Sequence, residues 1–188
     1  MSDRRREREL MVELQLAGRG LDDPRVLTAM GAVERERFVP RDLADDAYAD
    51  LAPPIGYGRV VPRPETLARA LALLALQRSE RLLVVGAGSG YPVAVAAQLA
   101  GEVVATERVP QLAARAARNL AGVARVLAVD GTQGVPAEGR FDAALVLAPG
   151  SRAPSRVAHE LVPGGRLVHI AEDGSAALVI AGRNVPAR

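Results

Sequence analysis

Residues 84–91 read VVGAGSGY, an apolar run followed by Gly86, Gly88 and Gly90 at alternate positions and then Tyr91. Glycine accepts positive φ and lets a ligand reach the main chain with no Cβ in between, while a following helix offers its free N–H groups. Such a turn suits a ligand held against bare backbone; a tight strand-to-helix turn with no ligand is the competing reading. Spacing narrows the ligand. Dinucleotide-binding turns favour G-x-G-x-x-G, whereas the third glycine here comes one residue early, and Tyr91 stands where the late glycine would be. No lysine follows as in G-x-x-x-x-G-K-[ST], which disfavours a nucleoside triphosphate with magnesium. Further on, Glu107 closes VVATE, at a place where a carboxylate can accept both hydroxyls of a ribose, with a plain surface glutamate as the alternative. Asp130 and Gly131, in VDGT, can flank a purine: the carboxylate accepts from an amino group and the glycine lets the ring lie close. Together they point to an adenosine-containing ligand. S-adenosylmethionine suits such a site, because it has no phosphates to cradle and ends in a zwitterionic methionine tail.

The elements around these residues place them at strand ends. Strands are expected at 81–85, 102–106, 124–129, 142–148, 166–170 and 176–181, with helices filling the gaps at about 91–100, 110–121 and 152–161. Runs that are apolar on both faces are what a parallel sheet covered by helices requires. The fold class expected is therefore α/β, a doubly wound, mostly parallel sheet. Ahead of it, apolar Leu10, Met11, Leu14 and Leu16 among charges suggest an amphipathic helix over 5–18, closed by Gly18 and Gly20. A second helix starts at LDDPRVLTAM, with Asp22 or Asp23 as cap and Pro24 in the first turn. Prolines and glycines in APPIGYGRVVP predict an ordered, irregular loop from Asp45 to Pro64, and long loops in compact domains tend to be functional. A buried helix then begins at Pro64. A single domain over 1–188 is expected, with N-terminal helices in 1–44, a substrate-side loop in 45–64 and a ligand-binding α/β core in 65–188.

Composition excludes several other chemistries. No cysteine is present, which removes disulfides and thiolate catalysis, and two histidines, His159 and His169, are too few for a histidine metal site, so no metal is expected. All 24 basic residues are arginine. Only Arg4, Arg5, Arg6 and Arg8 cluster, interleaved with Asp3, Glu7 and Glu9, which reads as a solvated helix face rather than a nucleic-acid arm. Three tyrosines and two phenylalanines are too few for a base-stacking platform. Neither a nucleic-acid partner nor a membrane is expected. The charged opening MSDRRRERELMVEL lacks the apolar region of a secretory signal, so a cytoplasmic location is expected.

With these motifs in place the chain resembles the protein-L-isoaspartate O-methyltransferases, from about Met11 to Gly165. The likeness is carried by LDDPRVLTAM, VERERFVP, AYADLAPPIGYG and RPETLARAL, then by VVGAGSGYPVAVAAQL, ATERVPQLAARAARNL, VDGTQGVP, FDAALVLAP and LVPGGRLV. It implies a Rossmann-like methyltransferase fold with added helices and S-adenosyl-L-methionine as cofactor, S-adenosyl-L-homocysteine being the product. It also implies that Gly86, Gly88, Ser89 and Gly90 contact the methionine portion, Glu107 with Arg108 beside it the ribose, and Asp130 with Gly131 the adenine.

Departures fall on the acceptor side. Val60 and Pro62 replace a threonine and a serine of the family's G-Q-T-I-S-Q-P, Val84 replaces a glutamate, and Val146 and Leu147 stand where the family has V-T. The sequence, as it runs to Arg188, also lacks the family's usual C-terminal strand and FVPL-like ending. Methyl transfer to a carboxylate needs no general base, since the acid is already ionised at neutral pH. It does need the carboxylate desolvated and held, and Arg59 or Arg63 in the proline-rich loop is the candidate for that role. A solvated pair of arginines is the alternative. The function implied is methylation of an isoaspartyl or aspartyl carboxylate in a peptide or protein. A module of the same fold that binds without turnover is the second reading, and a nicotinamide oxidoreductase is disfavoured by the glycine spacing.

Overall fold

The computed structural model describes residues 4–147, 155–171 and 176–180. Its core is a six-stranded sheet in the order β5-β4-β3-β6-β7-β8. The strands are β3 (Arg81–Val85), β4 (Glu102–Thr106), β5 (Arg125–Leu127), β6 (Phe141–Val146), β7 (Leu161–Ile170) and β8 (Ala176–Ile180). The first five run parallel, and β8 returns antiparallel beside β7. The chain steps outward from β3 through β4 to β5 and then crosses back to β6 on the other side of β3, so the order reverses between β3 and β6. In open α/β sheets ligands bind beyond the strands' carboxyl ends at such a reversal.

Alternation along β3 shows why the sheet is buried on both faces. Leu82 and Val84 join one apolar cluster, with residues of helices α2 (Pro24–Ala32), α3 (Pro64–Leu74), α4 (Tyr91–Ala96) and α5 (Pro110–Asn119). Leu83 and Val85 join a second, with Phe141, Leu161 and Val157 of the short α6 (Ser155–Ala158). Neither face meets water, as the double-sided apolar runs required.

The N-terminal region differs from a single amphipathic helix over 5–18. Helix α1 (Arg5–Leu10) passes into one π turn, Met11–Leu16, and a 3-10 turn, Ala17–Arg19, that ends on Gly20 with φ of 82°. The cause lies in the apolar spacing. At about 100° per residue, positions 11 and 16 fall far apart on an α-helix, whereas i→i+5 bonding widens the turn and brings them round. Met11 and Leu16 are buried, while Leu14 is 60% exposed. Asp23, not Asp22, caps α2, its Oδ1 accepting from the N–H groups of Arg25 and Val26.

The expected irregular loop of 45–64 holds a small antiparallel hairpin, β1 (Pro54–Gly56) and β2 (Arg59–Val60). Tyr57 and Gly58 form its tip, both at positive φ, 56° and 65°. That is the backbone of the primed two-residue turns that suit hairpins. Other boundaries move as well. Helix 91–100 stops at Ala96, 110–121 at Asn119, strand 124–129 is confined to 125–127, and β7 begins at Leu161 rather than at 166. Residue 148 of the expected fourth strand, residues 152–154 of the third expected helix and residue 181 of the last strand lie outside the described residues.

Candidate active site

A cleft of about 750 Å³ opens where the sheet order reverses. Its floor is made by the residues that follow the parallel strands: Gly86 to Ser89 after β3, Glu107 and Arg108 after β4, Val129 to Thr132 after β5, Leu147 after β6 and Ala171 after β7. The opposite wall is Ala52 and Gly58 to Arg63 of the proline-rich loop, with Thr66 of α3.

The turn after β3 is folded tightly onto β4. The N–H groups of Gly86 and Ala87 both point to the Thr106 carbonyl at 2.9 Å, and Gly90 N–H closes on Ala87 O. Gly90 has φ of 103° and stands as the N-cap of α4. A Cβ there would press on Leu120 and touch Phe38, so glycine is required from behind, by conformation and by packing. Gly90 accordingly lies outside the lining of the cleft, while Gly86, Gly88 and Ser89 belong to it. Asn119 holds the same turn, its side-chain amide donating to Ser89 O at 2.9 Å.

Glu107 is buried at 4% exposure and is held from both ends. Oε2 accepts the N–H of Gly88 and Oε1 that of Val109, each at 2.9 Å. A carboxylate offers about four lone-pair directions, so two backbone bonds fix the group and leave acceptors directed at the cleft. The same residue thus braces the glycine turn and lines the cleft. Arg108 is exposed beside it on the cleft wall.

Asp130 caps the 3-10 turn Gly131–Gln133, its Oδ1 accepting from Thr132 N–H at 3.0 Å and from the Thr132 hydroxyl at 2.7 Å. That hydroxyl bond, with the backbone bond and nearby Arg108, holds the carboxyl below its ordinary range despite partial burial. Gly131 lies against Thr106, and a Cβ on it would collide with the threonine side chain. Close approach of the loop to the strand end therefore demands glycine at 131.

On the acceptor side the two candidate arginines part company. Arg63 is engaged: its Nε and Nη2 bond both oxygens of Asp50 at 3.1 and 2.7 Å. Asp50 also accepts from Arg19, which in turn reaches Glu65. Arg63 holds the Asp50 carboxyl below its usual range, with Arg19 adding to the effect against partial burial. Arg59 lines the cleft half-buried, its side chain making no hydrogen bond or ion pair to another of the described residues. Val60 and Pro62 line the cleft where hydroxyls were missed, and so does Leu147. Val84 does not: it is fully buried in the core below the cleft. The hydroxyl of Thr66 had no signal of its own. Only the start of α3 at Pro64, which puts residue 66 in the first turn next to the loop, marked the place.

The donor set fits S-adenosylmethionine. Ser89 Oγ is buried at the cleft without a hydrogen-bond partner among the described residues, Glu107 has acceptors to spare, and Asp130 lies within a loop that a glycine lets pack close against the end of β4. Strand ends of this kind, at the reversal of a mostly parallel sheet, define a Rossmann-like methyltransferase. Residues 5–184 match the family described as Protein-L-isoaspartate(D-aspartate) O-methyltransferase (PCMT). The chain belongs to that family of S-adenosylmethionine-dependent protein carboxyl methyltransferases.

Relatives agree. The chain is 45% identical to the protein-L-isoaspartate O-methyltransferase of Methanoculleus marisnigri over 168 residues, covering 87% of this chain and 76% of that protein. It is 44% identical to protein-L-isoaspartate O-methyltransferase 1 of Rhodopseudomonas palustris, covering 86% and 68%. Among solved structures, a protein-L-isoaspartate O-methyltransferase superposes with a TM-score of 0.76 at 23% identity, covering 92% of this chain and 59% of that longer one. A Plasmodium falciparum structure described as the same kind of enzyme, in complex with S-adenosyl-L-homocysteine, gives 0.72 at 24%, covering 93% and 88%. At these identities the structures bear on the fold.

Proposed function

We propose that this chain methylates the free α-carboxylate of an isoaspartyl residue in a peptide or protein, with Arg59 as the group that positions that carboxylate. The observation that carries the reading is the two-walled cleft: strand ends suited to a nucleoside on one side, and on the other a loop with an arginine whose side chain pairs with none of the described residues. In this reading Glu107 holds the ribose hydroxyls, Asp130 and Gly131 the adenine, and Gly86, Gly88 and Ser89 the methionine portion. Gly90 supports the turn from behind. When bound, S-adenosylmethionine supplies an electrophilic methyl group.

The acceptor acid has an ordinary pKa of about 4 and arrives ionised, so no residue needs to take a proton from it. Arg59 draws one carboxylate oxygen into a charge-assisted bond, the Thr66 hydroxyl offers a second donor, and the other oxygen is left to attack in line. Val60 and Leu147 keep water from the carboxylate, which strengthens its hold on Arg59 and its reactivity. The ester loses its methoxy group, as methanol, more readily than the acid loses hydroxide, so the following residue's amide nitrogen can attack the ester carbonyl and close an isoaspartyl ester to a succinimide. Loss of the hydroxyls at Val60 and Pro62 favours the alternative of binding without turnover; membership of the family favours turnover. The helices, loop and sheet share a continuous apolar cluster, in keeping with one domain, and a cytoplasmic setting belongs to the same proposal.

The test is methyl-ester formation from labelled S-adenosylmethionine on an isoaspartyl peptide and on its aspartyl isomer. Ester on the isoaspartyl peptide is expected. Calorimetric binding of S-adenosylhomocysteine with no ester on either peptide would replace this reading with the non-enzymatic one.

A further inference from the structure

Arg35 is the largest of the fully buried side chains, at 0% exposure, and no carboxylate among the described residues pairs with it. A buried cation is costly unless hydrogen bonds compensate it. Here the compensation comes from main-chain carbonyls: Nε donates to Ala47 O at 2.8 Å, and Nη2 to Leu51 O at 3.3 Å and to Pro62 O at 2.8 Å. The central carbon of the guanidinium lies over the Tyr91 ring, 4.6 Å from its centroid. Nη1 has no acceptor. Ala47 and Leu51 lie at the entry of the loop that forms the acceptor wall, and Pro62 at its exit. One side chain therefore pins both ends of the segment that carries Arg59. Tyr91, whose face receives the cation, directly follows Gly90 and is itself fully buried against Phe38, with ring centroids 5.7 Å apart. A space-filling role would be met by methionine or leucine at far lower desolvation cost.

We propose that Arg35 is a positioning residue: its guanidinium clamps the 47–62 loop across the back of the glycine turn and so sets where Arg59 stands over the cleft. The assignment rests on the methyltransferase reading for its kinetic consequence, but the clamp is a property of the free protein. Lysine at 35 keeps the charge and much of the length, yet a single ammonium cannot span three carbonyls as a planar fork does. In Arg35→Lys, hydrogen exchange of the amides in 54–61 is expected to rise about tenfold relative to the sheet. KM for an isoaspartyl peptide is expected to rise about fivefold, with kcat and S-adenosylhomocysteine affinity within about twofold of the parent. Should this variant fail to fold, Tyr91→Leu, which removes the aromatic face and leaves Arg35 in place, is read the same way. Unchanged loop exchange, an increase spread evenly over the whole chain, or faster loop exchange with KM unmoved would each overturn the clamp. If the parent protein shows no turnover, the functional reading fails while the exchange result still decides the clamp.

Discussion

Glu107 and Arg59 differ in what the protein itself asks of them, and substitutions should show it. Both oxygens of Glu107 accept backbone N–H groups, so Glu107→Gln turns one acceptor into a donor facing a donor. Calorimetry should show S-adenosylhomocysteine binding weakened at least about tenfold, the equivalent of about 1.4 kcal/mol, with some loss of stability as well. Unchanged affinity would remove Glu107 from the site. Arg59→Ala should leave the melting temperature where it is, since none of the described residues bonds the Arg59 side chain, and should raise KM for an isoaspartyl peptide by about tenfold. Arg63→Ala should have the smaller kinetic effect, because its charge is already shared with Asp50. The reverse ranking would move the acceptor role to Arg63. Much of the cleft's floor was legible at this scale, because a glycine turn, an acid and an Asp-Gly pair at successive strand ends leave a local signature. Arg35 left none: in a chain with 24 arginines nothing in VERERFVP marks one as buried, and burial depends on carbonyls brought in from positions 47, 51 and 62. The packing role of Gly90 was hidden for the same reason, since Leu120 and Phe38 reach it only in the folded chain.

At the scale of the element, capping chemistry was readable and helix geometry was not. Asp23 is the side-chain cap at the start of α2, accepting from the otherwise free N–H groups of Arg25 and Val26 that follow Pro24. Asp23→Ala should lower stability by about 1 kcal/mol in urea unfolding without altering the affinity for S-adenosylhomocysteine. A change in that affinity would mean that α2 reports to the cleft. The π turn over Met11–Leu16 was unreadable because period arguments assume one pitch throughout, and only burial against α2 and α3 selects the wider one. The hairpin at 54–60 escaped notice because Tyr57 occupies a left-handed position that sequence reasoning reserves for glycine, asparagine or aspartate. Strands β3 and β4, apolar on both faces and flanked by turns, fell where expected because nothing in their surroundings competes with the local pattern.

For the whole molecule, the sheet is tied to the helical layer by Arg166 of β7, which reaches Glu80 with Nη1 and Nη2 at 2.8 and 2.7 Å and also donates to the carbonyls of Leu74 and Ala75 at the end of α3. Arg166 is the chief reason that the Glu80 carboxyl lies below its ordinary range, with the Gln77 N–H assisting against partial burial. A carboxylate whose folded pKa is below its unfolded one stabilises the fold above the unfolded value, about 4.3 for glutamate, and that contribution fades as pH falls through the folded value. Glu80→Gln should therefore cost about 1 kcal/mol in urea unfolding at pH 7, and the gap from the parent should close below about pH 4. A gap of constant size would show that packing, not charge, is lost. The doubly wound topology was legible because the texture of the second half repeats, whereas the way the N-terminal helices and the loop fold back on the glycine turn is set by contacts between distant segments.

The most direct test of the nucleoside cleft is a crystal structure of the protein with S-adenosylhomocysteine. The expected electron density has the ribose hydroxyls on Glu107, the adenine between Asp130, Gly131 and the end of β4, and the amino-acid tail on Gly86 to Ser89, facing Arg59. Density for the ligand anywhere else, or a cleft in which Val129, Leu147 or the 58–63 loop occupies its place, would contradict the account.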